Sequence, residues 1–384
     1  MAIRPSERPP GRIVPSRGMD LGSSVPRGSP WDRGAGVRRG SVLAEPGKGV
    51  GSRIPIPVTE IHMYRSIVLP LDGSSFAEEA LPLAARLALG AGAKLHLVHV
   101  IRPAPDVDFK TPEEDLAWRT QVREAASSAL GELAAGLRKG GVTAHAEVRE
   151  GRTVEAILEC AREHEADLLV LTTHGAGGFR RWWLGSVADA LLRRGETPVL
   201  LVRPWDDTSD RETAQPRFRK VLVPLDGSPA SEAVLPHARW LREENDSSLV
   251  LVRVVPSPLE VGSLYGIPSV RVEGDGHRLQ RDAAREYLEE VAARLEAGGT
   301  NGPPPELRVV EASSAAEGVL EAARVNGVDV IALSTQGRSG LGRTMFGSVG
   351  DKIIRGAVVP VLAVGAGVGD SDRQKSVGSN PLNP

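Results

Sequence analysis

Two short loops, each present twice, hold the residues of this chain best suited to chemistry. The first is Pro70-Leu-Asp72-Gly-Ser, which returns as Pro224-Leu-Asp226-Gly-Ser. An aspartate leaving a strand and followed by glycine can accept hydrogen bonds from ribose hydroxyls. It can equally cap the next helix through its side-chain oxygens. The second loop runs from Thr172-Thr-His-Gly175 through Gly178 to Gly185-Ser186-Val187. Its counterpart runs from Ser334-Thr-Gln-Gly337 through Gly340 to Gly347-Ser348-Val349. Glycine lets backbone approach a ligand closely. Gly185-Ser186 and Gly347-Ser348 are predicted to open a helix, whose free N–H groups and dipole favour a phosphate. The dipole contributes roughly 0.3–2 kcal/mol. Several N–H and hydroxyl contacts must therefore add to it for micromolar affinity, about −8 kcal/mol.

The elements that position these loops also come twice. Ile67-Val-Leu-Pro-Leu-Asp-Gly-Ser74 recurs as Val221-Leu-Val-Pro-Leu-Asp-Gly-Ser228, an offset of 154, and Leu184-Gly-Ser-Val-Ala-Asp189 as Phe346-Gly-Ser-Val-Gly-Asp351, an offset of 162. The second copy therefore holds eight additional residues between the two motifs. In the first copy, runs rich in Val, Leu and Ile predict strands at 66–71, 94–101, 142–149, 167–172 and 198–203. Between them, residues 112–139 carry Ala126, Leu130, Leu133 and Leu137 on one helical stripe, and 153–164 carry Val154, Ile157, Leu158 and Ala161. The second copy repeats that last face as Ala316, Val319, Leu320 and Ala323, with Ser314 and Glu317 spaced as a capping box. Strands apolar without alternation, such as Asp167-Leu-Leu-Val-Leu171, are covered on both faces. Strand–helix alternation then predicts an α/β fold of two tandem, doubly wound, parallel five-stranded sheets. Ligands of such sheets bind at the strands' carboxyl ends, where strand order reverses.

On these motifs the chain resembles the universal stress protein family, whose ATP-binding signature is Gly-x-x-Gly, nine residues, then Gly-Ser. Both loops match the second glycine (Gly175, Gly337), the gap and the final pair; the first-glycine position holds Thr172 and Ser334. The resemblance covers 64–203 and 218–365 and implies a Rossmann-like fold of the adenine nucleotide alpha hydrolase type. It implies ATP, with Mg2+, as the ligand of a regulatory stress-response protein. Asp72 and Asp226, beside Pro70 and Pro224, would hold ribose. Backbone near Val100 and Val254 would read adenine. Gly175, Gly178, Gly185, Ser186 and Val187, with Gly337, Gly340, Gly347, Ser348 and Val349, would cradle phosphates. It also implies self-association through the fifth strands, at 198–203 and 359–364, as an internal pseudo-dimer or a homodimer, with a further, unidentified protein partner. Two alternatives stand beside this: an interaction module that binds no nucleotide, which Thr172 and Ser334 favour, and a slow ATP hydrolase.

Other signals carry less. Gly342 to Ser348 has P-loop glycine spacing, but Ser348 stands where the lysine belongs. His96 and His99 sit three apart on a strand and so face opposite sides, which argues against a metal pair. His174 is replaced by Gln336 in the second copy. Trp182 and Trp183 read as packing anchors, Cys160 as a small packed hydrophobe. Arg180, Arg181, Arg338 and Arg343 are candidate phosphate partners or solvated loop charges. Neither copy assembles a nucleophile, base and orienting group, so an enzyme is not expected.

Composition sets the frame. The chain has 384 residues, is 41% hydrophobic and 25% charged, and has a net charge of −2, which points to no nucleic-acid or membrane partner. No apolar run approaches the ~18 residues of a membrane span. The single cysteine excludes an intramolecular disulfide and fits a reducing cytoplasm. Residues 1–62 hold 10 Gly, 9 Pro and one aromatic residue, Trp31, with basic residues outnumbering acidic by 10 to 5. Such a segment is expected to be disordered, or untranslated with Met63 as the start. The expected division is then 63–204 and 218–365 as the two domains, 205–217 as linker and 366–384 as a disordered tail.

Overall fold

The computed structural model describes residues 63–102, 111–173, 184–194, 197–203, 218–257, 259–261, 270–272, 274–297, 302–335 and 347–365. The readings of the N-terminal segment, the linker and the tail fall outside these residues.

In the first half, β1 (Ser66–Pro70) leads through α1 (Ser75–Glu78) and α2 (Leu81–Ala91) to β2 (Lys94–Ile101), then α3 (Pro112–Lys139) and β3 (Thr143–Glu150). It continues as α4 (Thr153–Glu163), β4 (Leu168–Thr172), α5 (Ser186–Arg194) and β5 (Val199–Val202). The second half repeats the plan with β6 (Lys220–Pro224), α6 (Pro229–Glu232), α7 (Leu235–Asn245) and β7 (Ser248–Pro256). A ribbon of β8 (Leu259–Val261) and β9 (Val270–Val272) follows, then α8 (Asp275–Ala297) and β10 (Glu306–Ala312). The half closes with α9 (Ala315–Val325), β11 (Val330–Ser334), α10 (Ser348–Gly356) and β12 (Val361–Val364).

All ten main strands form a single sheet, in the order β10-β7-β6-β11-β12-β5-β4-β1-β2-β3. Within each half the pairing is parallel, and order reverses between β1 and β4, and between β6 and β11. The two five-stranded units meet edge to edge where β12 pairs antiparallel with β5, Leu362 opposite Leu200. Through this pair the two five-stranded units are continuous as one sheet. An unpaired β5 or β12 would expose a row of backbone groups, and each covers the other.

The apolar runs supply both faces. Along β1, Ile67 and Leu69 join one core cluster and Val68 the other; along β4, Leu168 and Val170 alternate with Leu169 and Leu171 in the same way. One cluster packs under α2, α3, α7 and α8, the other under α4, α5, α9 and α10, and both run unbroken across the two halves. The stripe of α3 reappears in α8, Ala126 and Leu130 as Ala284 and Leu288, at an offset of 158. Half of the second copy's additional length therefore precedes α8, where the ribbon stands.

The capping box at α9 forms only in part. Ser314 Oγ accepts the Glu317 N–H at 3.3 Å, but the Glu317 carboxylate turns to the Ser313 hydroxyl at 2.5 Å. Ser314→Ala should cost about 1 kcal/mol, read as a shift in urea midpoint.

Side chains lock the junction as well. Gly90 of α2 faces Glu244 of α7 so closely that a Cβ would overlap the carboxylate. Tyr64 stands edge-on to Trp240, ring centres 4.6 Å apart, and its hydroxyl is hydrogen-bonded to His237 Nδ1 at 2.8 Å. Arg203 donates to the carbonyls of Ile354 (2.7 Å) and Arg355 (3.0 Å), capping the end of α10 from the opposite half. Burial pushes the His237 imidazole down to about 4, against about 6.5 in an unfolded chain. Between those values the unfolded chain binds the extra proton, so stability is intact above pH 6.5 and falls as pH drops toward 4. The loss should reach roughly 2–3 kcal/mol. Urea midpoints at pH 7.5 and 4.5 measure it, and His237→Gln should flatten the difference; an unchanged slope in that variant would assign the effect elsewhere. Among the described residues, no helix is long and apolar enough to cross a membrane.

Candidate functional site

The candidate loops lie at the carboxyl ends of β1 and β4, neighbours on either side of the order reversal, and again at β6 and β11. Pro70 and Pro224 end their strands, and the next N–H turns back into the sheet, Leu71 to the Val98 carbonyl and Leu225 to that of Val252, each at 2.8 Å. Gly73 and Gly227 then take φ of +80° and +84°, which glycine adopts without Cβ strain.

Neither aspartate caps a helix directly. Asp72 Oδ1 accepts from the Ser74 N–H (3.0 Å) and hydroxyl (2.5 Å), while Ser74 Oγ, the N-cap of α1, accepts from Ala77 N. Asp226 repeats this on Ser228 (2.9 and 2.6 Å), whose Oγ accepts from Ser231 N. The carboxylates act one step back, fixing the capping serines. Sequence reasoning passed over Ser74 and Ser228, although the Asp-Gly-Ser pattern was there to show an Asx-type turn.

The Gly-Ser pairs sit at helix starts. Ser186 and Ser348 open α5 and α10. Gly185 N–H donates to the Thr173 carbonyl (3.0 Å) and Gly347 N–H to that of Thr335 (2.9 Å), which ties each helix start to the preceding strand. A Cβ would stand 3.4 Å from the Thr173 oxygen at position 185, an ordinary contact, and 3.3 Å from the Thr335 oxygen at 347, a slightly tight one. Gly347 has a φ of −66° and makes no side-chain cap bond. The first N–H groups of α10, on Ser348, Val349 and Gly350, have no intrahelical acceptor by construction. A phosphate fits such a place, since it supplies acceptors and negative charge together.

The rest of the predicted set is partly placed. Val100 lies on β2 beside Arg149 of β3, and Val254 on β7 beside Val310 of β10. Thr172 and Ser334 are the last residues of β4 and β11, in register with Val202 and Val364. Gly175, Gly178, Gly337 and Gly340, with His174, the two tryptophans and the loop arginines, lie outside the described residues.

The halves differ beside the first loop. His99 Nδ1 is hydrogen-bonded to the Leu71 carbonyl at 2.8 Å. Its counterpart by sheet register, Arg253, lies 4.8 Å over the Tyr287 ring, and its guanidinium fills the space that a Cβ at Gly227 would take. The two helices are also linked: Arg355, in the last turn of α10, bridges to Asp189 in the first turn of α5 at 3.1 Å while holding Asp351 of its own first turn at 3.0 Å.

A doubly wound sheet whose order reverses between two loop-bearing strands, built twice into one chain, defines a tandem α/β protein of the Rossmann-like class. The chain belongs to the universal stress protein family, whose model matches residues 63–203 and again 217–365. A universal stress protein of Mycolicibacterium smegmatis is 27% identical over 78% of this chain and 96% of its own length. Another, of Methanocaldococcus jannaschii, is 31% identical over 37% of this chain and 84% of its own. The crystal structure of a universal stress protein from Archaeoglobus fulgidus shares the fold, with a TM-score of 0.59 at 17% identity, over 78% of this chain and 98% of that one.

Proposed function

We propose that each half binds an adenine nucleotide, ATP with Mg2+, and that the protein regulates through the bound state and is not a catalyst. The observation that carries this is the duplicated seat: a glycine N–H tied to the strand-end carbonyl, a helix start without a side-chain cap at α10, and an Asp-Gly-Ser turn across the order reversal. In this proposal Asp72 and Asp226, already oriented by their serines, take the ribose. Backbone at Val100 and Val254 reads the base. The N–H groups of Ser186 and Val187, and of Ser348 and Val349, take phosphate oxygens, to which the family resemblance also assigns Gly175, Gly178, Gly337 and Gly340. The Asp189–Arg355 pair gives a contact through which occupancy of one seat bears on the other helix.

The test is direct. Denatured, freshly purified protein should release adenine nucleotide on chromatography, and calorimetry on stripped protein should return two equivalents of ATP in Mg2+ buffer. No released nucleotide and no heat would leave the interaction module, which Thr172 and Ser334 favour. Steady release of labelled phosphate during the same incubation would instead identify a hydrolase.

A further inference from the structure

Outside the nucleotide loops, the first half gathers an unexpected set of side chains between α4 and the outer strand β3. Glu147 on β3 accepts from His164 Nε2 at 2.9 Å, and the Cys160 thiol lies 3.8 Å from the same carboxylate oxygen. One ligand atom from each of these residues falls within 4.8 Å of the others. The imidazole of His164 stacks on that of His96 with centres 3.9 Å apart, and His96 stacks in turn on His145, its partner across the strands, at 5.2 Å.

We propose that Glu147, Cys160 and His164 form a three-ligand site for a divalent transition-metal ion of the zinc class. Sulfur, imidazole nitrogen and carboxylate oxygen are the donor set such borderline-soft ions take. Zinc–ligand bonds of about 2.0–2.3 Å at a tetrahedral angle place neighbouring donors roughly 3.3–3.6 Å apart. Two of the three separations, 2.9 and 3.8 Å, bracket that spacing, and the sulfur lies within 4.8 Å of the imidazole nitrogen, so side-chain rotation that draws those two together closes the set on an ion. Cys160 lies in the last turn of α4 and His164 is its C-cap, four residues on, with its N–H bonded to the Cys160 carbonyl. Arg149 holds the other Glu147 oxygen at 2.5 Å, which leaves Oε2 turned toward the cysteine and histidine, an orienting contact of the kind that tunes metal sites. The near-parallel stacking of His96 on His164, 17° between planes, prevents their in-plane lone pairs from converging on one ion. The fourth position is therefore open to water, from the side where Glu147 and His164 are each 31% exposed.

The fold does not require this cluster. In the second half, Val250 pairs with Glu306 as His96 pairs with His145, and Arg308 Nε donates to Asn326 Oδ1 at 3.3 Å where Glu147 meets His164. Ala322 stands at the place of Cys160. Neither arginine nor asparagine with alanine makes a metal site, and that half packs as well without one. On binding, the Cys160 S–H bond breaks, a sulfur–metal bond forms, and the thiol proton passes to solvent; Nε2 of His164 gives up the proton it shares with Glu147 and binds the metal, and the imidazole stays neutral by taking a proton on Nδ1 from solvent.

Cobalt(II) titrated into the reduced, full-length protein tests this. One equivalent per chain should give a thiolate-to-cobalt charge-transfer band with tetrahedral ligand-field bands. Cys160→Ser should remove the charge-transfer band. His164→Gln and Glu147→Gln, at half-exposed positions, should each weaken cobalt binding by at least about tenfold, with circular dichroism unchanged. No charge-transfer band in the wild type would overturn the proposal. So would a full-strength band, at unchanged affinity, in both His164→Gln and Glu147→Gln.

Discussion

Gly347→Asp should eliminate nucleotide binding in the second half and leave the protein folded. Position 347 is the N-cap of α10, and aspartate is among the best N-cap residues, so its carboxylate would settle on the N–H groups proposed for phosphate. The added Cβ would sit 3.3 Å from the Thr335 carbonyl, a tight contact that the gained cap bond offsets. The seat would then be occupied by a fixed negative charge. Affinity there should fall at least about 100-fold, roughly 3 kcal/mol, with stability within about 1 kcal/mol of wild type. Calorimetric stoichiometry should drop from two ATP to one, and Gly185→Asp should do the same for the first half. Two equivalents retained in Gly347→Asp would remove α10 from the site.

The second large effect belongs to the junction. Leu362 is 2% exposed and faces Leu200 at the antiparallel pair that joins the halves. Leu362→Asp would bury a carboxylate with no cation among the strand residues it faces, and should cost more than about 4 kcal/mol. Val358, 84% exposed and only four residues earlier, is the control. Val358→Asp should stay within about 0.5 kcal/mol. Urea unfolding followed by circular dichroism measures both. Similar midpoints for the two variants would mean that the halves do not depend on this contact.

The apolar runs made most of the scaffold legible. β2 spans Lys94–Ile101 and α3 Pro112–Lys139, as periodicity predicted, because each buries the face its pattern marks. The merging of two sheets into one was not legible from residues, since β5 and β12 look like any other covered strands. Only family resemblance pointed to their contact. The turn chemistry was half legible: the aspartates were seen, but the role of Ser74 and Ser228 depends on a positive φ at the intervening glycine. The grouping of Cys160, which reads as a packed hydrophobe, with Glu147 and His164 was not legible for a plainer reason. They come from a strand and the next helix at spacings that match no linear ligand motif, and cross-strand register alone brings His96 and His145 beside them.

The antiparallel seam also has a consequence for biosynthesis. When the ribosome has finished β5, its natural neighbour β12 lies 159 residues further along the message. At about 5–20 residues per second the nascent first half waits on the order of ten to thirty seconds with that strand uncovered. During this interval a sibling chain on the same polysome could supply the missing strand. Once β12 emerges, tethering raises its local concentration to roughly the millimolar range, which favours closure within the chain.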